Sequence, residues 1–298
     1  MDFKQIEAFV HVVRHKSFSR AADAIYLTQP TISAHISSLE KELGIKLVDR
    51  SGKDIEPTEA GILFYEHAVN LMNTRDNAIF SLSTYNNTIK GKVEIAASTV
   101  PSQIILPRLI KSFAEKYKDI SFSITQMDSE EVAAAVLEKK YEIGIVGTKY
   151  QNSKLCCNKL ADDKLVLIAP NNGKYAALND AKIPFNTIAK ENFIIRETGS
   201  GTRHEFERII TESGISKSSI SIIAQMNSIE AIKQSVSMGL GVSIMSKLSV
   251  QDYVNCGLLK AFDIEGLELS RAFYLIYMIN RPLSPLSNLF LKFICEQN

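Results

Sequence analysis

Residues 28–44 read TQPTISAHISSLEKELG, and this stretch decides the fold of the N-terminal region. Thr28 is a good N-cap, Pro30 occupies a first turn where its missing N–H costs nothing, and Gly44 is typical of a helix end. Apolar residues between them recur at steps of four, three and four, which predicts a helix over 29–43 with one buried face. That face consists of Ile32, Ile36, Leu39 and Leu43.

The outward positions of this helix carry short hydrogen-bonding side chains. Ser, Thr and His are weak helix formers, so their concentration is unusual for a face that is only solvated. Such side chains can meet base edges or phosphates in the major groove of DNA, and an ordinary solvent-facing surface is the alternative. The candidate DNA-contacting residues here are Gln29, Pro30, Thr31, Ser33, His35 and Ser38.

Two shorter helices are expected before this one. Ser19 is the predicted N-cap of the second, which continues through residues 21–25, and Tyr26 and Leu27 form the turn that follows. Its small alanines allow the close packing that a helix-turn-helix requires. The first helix is predicted from an apolar stripe formed by Phe3, Ile6, Phe9, Val10 and Val13.

A β-hairpin wing is expected after Gly44. Residues 45–50 and 55–57 are predicted as short strands on either side of a Ser-Gly turn. Two cations of this wing, Arg50 and Lys53, are placed to reach phosphates beside the polar helix.

Together these segments resemble the LysR-type transcriptional regulators. The resemblance implies a winged helix-turn-helix, residues 1–58, that binds operator DNA. Val48 stands where the family usually has Phe. His35 stands where Arg or Gln is common, which leaves the base preference there open. The matching segments are Ser17–Ala22, Leu27–Ser33, Ile36, Leu39–Gly44, Leu47, Asp49–Arg50 and Pro57–Gly61.

Charge alone does not indicate a nucleic-acid partner. The chain of 298 residues has a net charge of +1, and residues 1–60 hold eight Lys/Arg against nine Asp/Glu. No apolar run approaches the roughly 20 residues that cross a bilayer, and the N-terminus is not a signal peptide. We therefore expect a cytoplasmic protein without a membrane partner.

The sequence has no nucleophile elbow, zinc signature or dinucleotide fingerprint, so no enzyme activity, metal or cofactor is expected. His11 and His15 have metal-ligand spacing but lack an evident third ligand. The four cysteines are expected to be free thiols, with redox sensing by Cys156 and Cys157 as the alternative.

Residues 59–88 are predicted as a linker and dimerisation helix. Their apolar residues lie close to a heptad seam, interrupted by Asp76. A helix packed on its own domain is the alternative, whereas the family resemblance implies an antiparallel dimer helix. A polar hinge, residues 86–91, follows. The seam consists of Ile62, Tyr65, Val69, Met72, Ile79 and Ser83.

Residues 89–298 alternate predicted strands and helices, which favours an α/β domain with a mainly parallel sheet. Two successive sets predict two lobes, I at about 91–162 and 267–298 and II at about 163–266. This arrangement resembles periplasmic solute-binding proteins. The fold class is thus α/β, with an N-terminal winged helix-turn-helix and a two-lobed periplasmic-binding-protein-like effector domain.

Polar clusters follow several of these strands, at the ends where α/β sheets bind ligands. The Gly199–Thr202 loop precedes a helix, whose free N–H groups and dipole favour an anion. A plain turn is the alternative for that loop. The candidate effector-binding residues are Ser98, Thr99, Ser102, Thr148, Arg196, Gly199, Ser200, Gly201, Thr202, Arg203 and Asn227.

The predicted function is a sequence-specific regulator controlled by a small effector, as a homodimer or homotetramer on double-stranded DNA, with RNA polymerase as a further candidate partner. A small-molecule binding protein with an accessory helical domain is the alternative. The loop at 196–203 is similar to that of family branches tied to sulfur or selenium metabolism, which suggests sulfite, sulfate or a related oxyanion. An organic carboxylate is the rival effector, and an empty site in which Arg196 pairs with Glu197 is a third interpretation.

Overall fold

The computed structural model describes residues 1–50, 55–85, 89–178 and 182–297. The chain forms two compact units. Unit 1 comprises Met1–Lys90 with Arg281–Asn288, and unit 2 comprises Gly91–Asn280 with Leu289–Asn298. Among the described helices, none has the length and apolar character that a membrane span requires.

Unit 1 contains the predicted helix-turn-helix and wing. Thr28 caps the third helix and Gly44 ends it with φ of 69°. The second helix begins earlier than predicted, because the Oγ of Ser17 rather than Ser19 accepts from the Arg20 N–H. Its helices are α1 (Phe3–His15), α2 (Phe18–Ala24), α3 (Gln29–Leu43) and α4 (Glu59–Tyr85), and its strands are β1 (Val48–Asp49) and β2 (Glu56–Pro57).

The core of unit 1 forms around the predicted buried face of α3. Ile32, Ile36 and Leu39 are fully buried there, together with Phe9 of α1. Leu43 was expected on this face, but it lies in the last turn of α3, beyond the covered part, and is 40% exposed. The apolar spacing therefore predicted three of the four buried positions of α3 correctly.

Glu40 joins α3 to the start of the wing. This carboxylate is buried, and its Oε1 accepts from the backbone N–H groups of Leu47 at 2.9 Å and Val48 at 3.2 Å. Its Oε2 accepts from Lys46 at 2.9 Å. Burial alone would raise the pKa of Glu40, but these hydrogen bonds outweigh burial and hold the pKa below its usual value.

The start of α4 is joined to the same segment. The Thr58 hydroxyl donates to the Lys46 carbonyl at 2.7 Å, and the Thr58 N–H donates to the Leu47 carbonyl at 3.0 Å. At Gly61 a Cβ would overlap the Leu47 carbonyl oxygen, so only glycine permits this approach. The wing strand is thereby fixed between α3 and α4.

The predicted seam of α4 divides into two parts. Tyr65, Val69 and Met72 pack against the core of unit 1, as the alternative of a helix packed on its own domain requires. Ile62 and Ile79 are each 59% exposed. The side chain of Ser83, like residues 86–88 of the predicted hinge, lies outside the described residues.

Unit 2 is built on a mixed sheet rather than a mainly parallel one. Some neighbouring strands of each lobe pair in parallel, but the two long strands that cross between the lobes pair antiparallel with each other and with further strands of both lobes. The expectation was wrong because charged residues at 158–164 hid the first half of the longer crossing strand. The strands are β3 (Gly91–Ser98), β4 (Ile120–Met127), β5 (Ile143–Val146), β6 (Leu155–Pro170), β7 (Lys182–Pro184), β8 (Asn192–Arg196), β9 (Ser221–Met226), β10 (Ser243–Ser246), β11 (Leu259–Glu265) and β12 (Ser270–Met278).

The crossing strands β6 and β12 divide unit 2 into its two lobes. Lobe I carries the strand order β4-β3-β5-β12-β6, and in lobe II β6 continues between β10 and β11. The helices cover these sheets, and a π-helical turn at Pro101–Ile105 leads into the first of them. They are α5 (Leu106–Lys116), α6 (Ser129–Leu137), α7 (Gly173–Ala176), α8 (Phe185–Ile188), α9 (Gly201–Glu212), α10 (Ile229–Ser237), α11 (Lys247–Asn255) and α12 (Pro285–Gln297).

We expect Glu40→Ala to lower the free energy of unfolding of unit 1 by about 2 kcal/mol at neutral pH, because two buried N–H groups lose their acceptor. A depressed carboxylate pKa stabilises the fold above the unfolded-state value and loses that effect as the pH falls through the folded-state pKa. The difference between wild type and Glu40→Ala should therefore shrink in acid. Urea unfolding and hydrogen exchange of the Leu47 and Val48 amides measure it.

Lys41→Ala is the matched control, since Lys41 is exposed on the same helix. Equal exchange protection at Leu47 in Glu40→Ala and wild type would show that Glu40 does not anchor the wing.

Candidate functional site

The outward face of α3 is where the structure places the predicted DNA-contacting residues. Gln29, Pro30 and Ser38 are exposed, whereas Thr31, Ser33 and His35 are half-buried along its two flanks. The centre of the face holds Ala34, Ser37 and Lys41, which the sequence argument passed over. Helical spacing from Pro30 (steps of four, three and four) would have found them.

Several of these side chains have partners within unit 1. Ser38 accepts from the Gln5 side chain at 3.1 Å, and Gln29 accepts from Ser19 at 3.1 Å. The hydroxyls of Thr31 and Thr28 lie 2.8 Å apart. These contacts orient the side chains and leave each of them further hydrogen-bonding capacity.

Arg50 lies beside the same face. Its guanidinium carbon is 4.9 Å from the centre of the Phe18 ring, and its Nη1 donates to the Ser33 hydroxyl at 3.4 Å. The stacking holds a cation at the edge of α3. Lys53, the other predicted wing cation, lies outside the described residues.

In unit 2, six of the predicted effector-binding residues line one cavity between the lobes, which we call the interlobe cavity. Lobe II contributes the start of α9, and lobe I contributes the end of β3. The cavity measures about 10 Å³, close to the volume that one water molecule requires. The six residues are Ser98, Thr99, Arg196, Ser200, Gly201 and Thr202.

The first turn of α9 presents free backbone donors to this cavity. Ser200 is the N-cap residue, and its side chain makes no capping hydrogen bond. A Cβ at Gly201 would meet the Ser129 hydroxyl oxygen and the Gly147 backbone, so glycine lets the helix start lie against lobe I. The helix dipole adds partial positive charge at this point.

Arg196 is buried in the interlobe cavity and is already paired. It donates from Nε and Nη2 to the two carboxylate oxygens of Glu197, at 2.8 and 2.7 Å. Nη2 also donates to the Thr99 hydroxyl at 3.1 Å. This bidentate pair is the arrangement that the third sequence interpretation anticipated, and it neutralises the guanidinium in this structure.

Arg271 of β12 is the second buried guanidinium of the cavity, and it was not among the residues predicted from the sequence. Its Nε donates to Asp163 at 2.7 Å and its Nη1 donates to Thr202 at 3.0 Å. Its Nη2 is buried and has no hydrogen-bond partner. Burial lowers the pKa of Arg271, and the charge of Asp163 opposes that shift. An arginine directly before the apolar run 272–278 was the available signal.

Five predicted residues lie outside the interlobe cavity. Ser102 bonds to the Thr99 carbonyl and Gln126, and Asn227 is exposed. Arg203 is turned toward Glu207, the Arg196 carbonyl and Gln225. Thr148 and Gly199 line a neighbouring, larger cavity.

Within the described part of the chain, no group of three or more His, Cys, Asp or Glu is arranged to hold a metal ion. All four cysteines are free. Burial raises the pKa of Cys157, which favours its less reactive thiol form.

Comparison with protein families matches both units. Residues 3–62 match the bacterial regulatory helix-turn-helix of the lysR family, and residues 86–298 match the LysR substrate binding domain. An uncharacterized HTH-type transcriptional regulator, MJ0300 of Methanocaldococcus jannaschii, is 34% identical over 94% of this chain and 93% of its own length.

Solved structures agree with this assignment. The CcmR regulatory domain of Synechocystis, in complex with 2-PG, is 25% identical with a TM-score of 0.63, covering 70% of this chain and 97% of its own. A full-length OxyR variant from Pseudomonas aeruginosa is 17% identical with a TM-score of 0.72, covering 99% of this chain and 94% of its own, and supports the fold alone. The predicted fold class is confirmed, and the chain belongs to the LysR family of DNA-binding transcriptional regulators, with an N-terminal helix-turn-helix and a C-terminal effector-binding domain.

Proposed function

We propose that this regulator reads operator DNA with the outward face of α3 and holds the backbone with the wing. Hydroxyl and amide side chains on α3 would contact base edges, and Arg50 with Lys53 would contact phosphates. The stacking of Arg50 on Phe18 beside Ser33 supports this assignment, because it pre-orders a cation next to the polar face. The proposed set is Gln29, Pro30, Thr31, Ser33, His35, Ser38, Arg50 and Lys53.

Ser33→Ala should reduce binding to the cognate operator by roughly 1–3 kcal/mol and relax sequence preference, because a base-edge contact is lost. Arg50→Ala should weaken binding to every sequence and lower the slope of log K against log salt by about 1. Fluorescence anisotropy at several salt concentrations measures both.

Thr74→Ala is the control, since its hydroxyl bonds to the carbonyl of Asn70 within α4. Operator affinity and salt slope equal to wild type in both test variants would refute the placement.

The regulator assembles through residues 59–88 as a homodimer, and effector-domain contacts extend the dimer to a homotetramer. The last turns of α4 support this, because they carry large apolar side chains with no cover in unit 1. Leu82 is 67% exposed and Ile79 is 59% exposed. Two copies would place two α3 helices on two half-sites of an interrupted inverted repeat.

Ile79→Glu combined with Leu82→Glu should halve the mass of the oligomer at micromolar concentration, since two charges would be buried in the α4 interface and only the effector-domain contacts would remain. Light scattering after size-exclusion chromatography gives the mass. Asn70→Glu, an exposed position on another face of α4, should keep the mass of the wild-type oligomer. A wild-type chain that is monomeric under these conditions would contradict the assembly.

The effector is a small anion bound in the interlobe cavity. The observation that carries this proposal is the buried Nη2 of Arg271, which has no partner beside the uncapped start of α9. An unsatisfied buried donor costs about 1–3 kcal/mol, and an oxyanion would satisfy it together with free N–H groups. Ser98, Thr99, Ser200 and Thr202 add hydroxyls around the same space.

The size of the interlobe cavity favours the smaller of the rival anions. A cavity of about 10 Å³ does not admit an organic acid unless the lobes separate. Sulfite, sulfate or a related oxyanion needs the smallest change, and it would compete with Glu197 for Arg196. The complex of the CcmR regulatory domain with 2-PG supports control by a small molecule. An organic carboxylate in an opened cavity is the second candidate.

Anion binding would change the relation between the lobes. Thr99 and Ser98 belong to lobe I, whereas Arg196 and Thr202 belong to lobe II. An anion held by both would favour one lobe arrangement by its difference in affinity for the two states. Lobe movement would then alter the effector-domain contacts within the oligomer.

Calorimetry of the full chain against sulfate, sulfite and phosphate should show binding that Ser98→Ala and Thr202→Val weaken about tenfold each, a loss of about 1.4 kcal/mol. Ser102→Ala is the matched control, because its hydroxyl lies outside the interlobe cavity. Binding of a neutral metabolite alone, with no response to any anion, would overturn the charge argument. Equal weakening by Ser102→Ala would overturn the assignment of the cavity.

A further inference from the structure

A larger cavity lies next to the interlobe cavity in unit 2, and we call it the α9 cavity. It measures about 810 Å³, within the range of small-molecule sites in proteins. One wall is the side of α9, and another is formed by the crossing strands β6 and β12. Gly201 and Arg271 line both cavities, so they form the partition between them.

The floor of the α9 cavity is built from buried polar groups. Thr148, Glu205 and Arg271 are each less than a tenth exposed. The Thr148 hydroxyl donates to Glu205 at 2.9 Å, and the other Glu205 oxygen accepts from Arg208. A buried carboxylate and a buried guanidinium at the base of an open cavity favour a polar ligand over an apolar one.

The charged lining is balanced in sign. Four cations (Lys149, Lys159, Arg208 and Arg271) face four carboxylates (Glu130, Asp162, Glu205 and Glu212). Most of these are paired at short range, Lys159 with Asp162 at 2.6 Å and Arg208 with both Glu205 and Glu212. An inorganic anion would find little excess positive charge here.

Among the described residues, two oppositely charged side chains of the lining lack an ion-pair partner. Within the described residues, neither Glu130 nor Lys149 has an ion-pair partner within 4.0 Å, although both line the α9 cavity. Glu130 lies in the first turn of α6. An unpaired carboxylate and an unpaired ammonium at one cavity provide complementary partners for a ligand that carries both charges.

We propose that the α9 cavity binds a free amino acid, with the ligand ammonium on Glu130 and the ligand carboxylate on Lys149. The rings of Tyr150 and Tyr274 line the same cavity and provide apolar surface for the ligand side chain. Burial, with the charges of Glu130 and Asp128, raises the pKa of Tyr150. Its hydroxyl therefore stays protonated and able to donate to the ligand.

The α9 cavity is lined by residues of both lobes. Thr148 follows β5 of lobe I, and it bonds to Glu205 of α9 in lobe II while its hydroxyl lies 3.4 Å from His204 Nδ1. A ligand that reaches the floor of the α9 cavity therefore contacts the hydrogen bond between Thr148 and Glu205, which any lobe movement must change. Since Arg271 and Gly201 are shared with the interlobe cavity, occupancy of one site should alter the affinity of the other.

The experiment screens the standard free amino acids against the full-length protein by saturation-transfer NMR at millimolar concentration, followed by calorimetry. For each amino acid that binds, the corresponding deaminated acid and decarboxylated amine are the matched ligands. The amino acid should bind at least about tenfold more tightly than either, because each analogue loses one charged contact. No amino acid binding, or equal affinity for an analogue, would overturn the proposal.

Charge-reversal variants locate the site. Lys149→Glu and Glu130→Lys should each weaken amino acid binding about tenfold or more. The controls Lys111→Glu and Glu115→Lys, on the exposed side of α5, should leave it unchanged. Sulfate binding should respond to Ser98→Ala but persist in Lys149→Glu. Amino acid binding that is lost in Ser98→Ala and retained in Lys149→Glu would place the ligand in the interlobe cavity and refute a separate site.

Discussion

The ion pair between Arg271 and Asp163 is the constraint on which the two-lobed unit depends. The two residues face each other in the register of β12 and β6, the strands that connect the lobes. Both are buried, so removing them from water is costly, and the cost is offset only by close hydrogen bonding. Asp163 also accepts from Ser246 at 2.8 Å, and Arg271 reaches Thr202 at the start of α9. One pair thus fixes the crossing strands and orients a helix terminus of lobe II.

Buried polar groups accumulate at this lobe junction where an apolar core would be more stable. Arg196, Thr202, Glu205 and Arg271 are all less than a tenth exposed, and Arg271 retains an unsatisfied donor. Replacing such groups by packed apolar residues is often stabilising, so their presence points to recognition rather than to stability. A ligand on Arg196 would displace Glu197 and compete with the hydrogen bond from Arg196 to Thr99, which joins the two lobes. The neighbouring α9 cavity shares the same partition.

Local patterns predicted most of the elements because caps and apolar spacing are encoded within a few residues. Thr28, Gly44 and the Ile32–Leu39 face were sufficient for α3. The pattern failed where the partner is distant in sequence. The charged residues at 158–164 made the first half of the crossing strand unrecognisable from its apolar pattern. Arg271 belongs to the site because it contacts Thr202, which is 69 positions away in the sequence. Ser102 and Arg203 were predicted from loops that do reach the cavity, but loop membership does not determine where a side chain points. Asn227 was predicted from a strand end that does not reach the cavity. Six candidates do meet in one cavity, because strand ends and helix starts converge at the lobe junction.

Unit 1 is also held together by a buried charged side chain, Glu40. Glu40 binds the backbone at Leu47 and Val48, Thr58 binds at Lys46 and Leu47, and Gly61 lies directly against Leu47. The segment before the wing is therefore held by α3 on one side and by α4 on the other. Tyr65 and Val69 extend this attachment into the core beneath α3. Because these contacts join α3, the segment before the wing and the first half of α4, rotation of α4 within an oligomer would carry the outward face of α3 with it. Contacts between copies through the exposed apolar side chains in the second half of α4 would thus set the spacing of the two α3 helices in the oligomer.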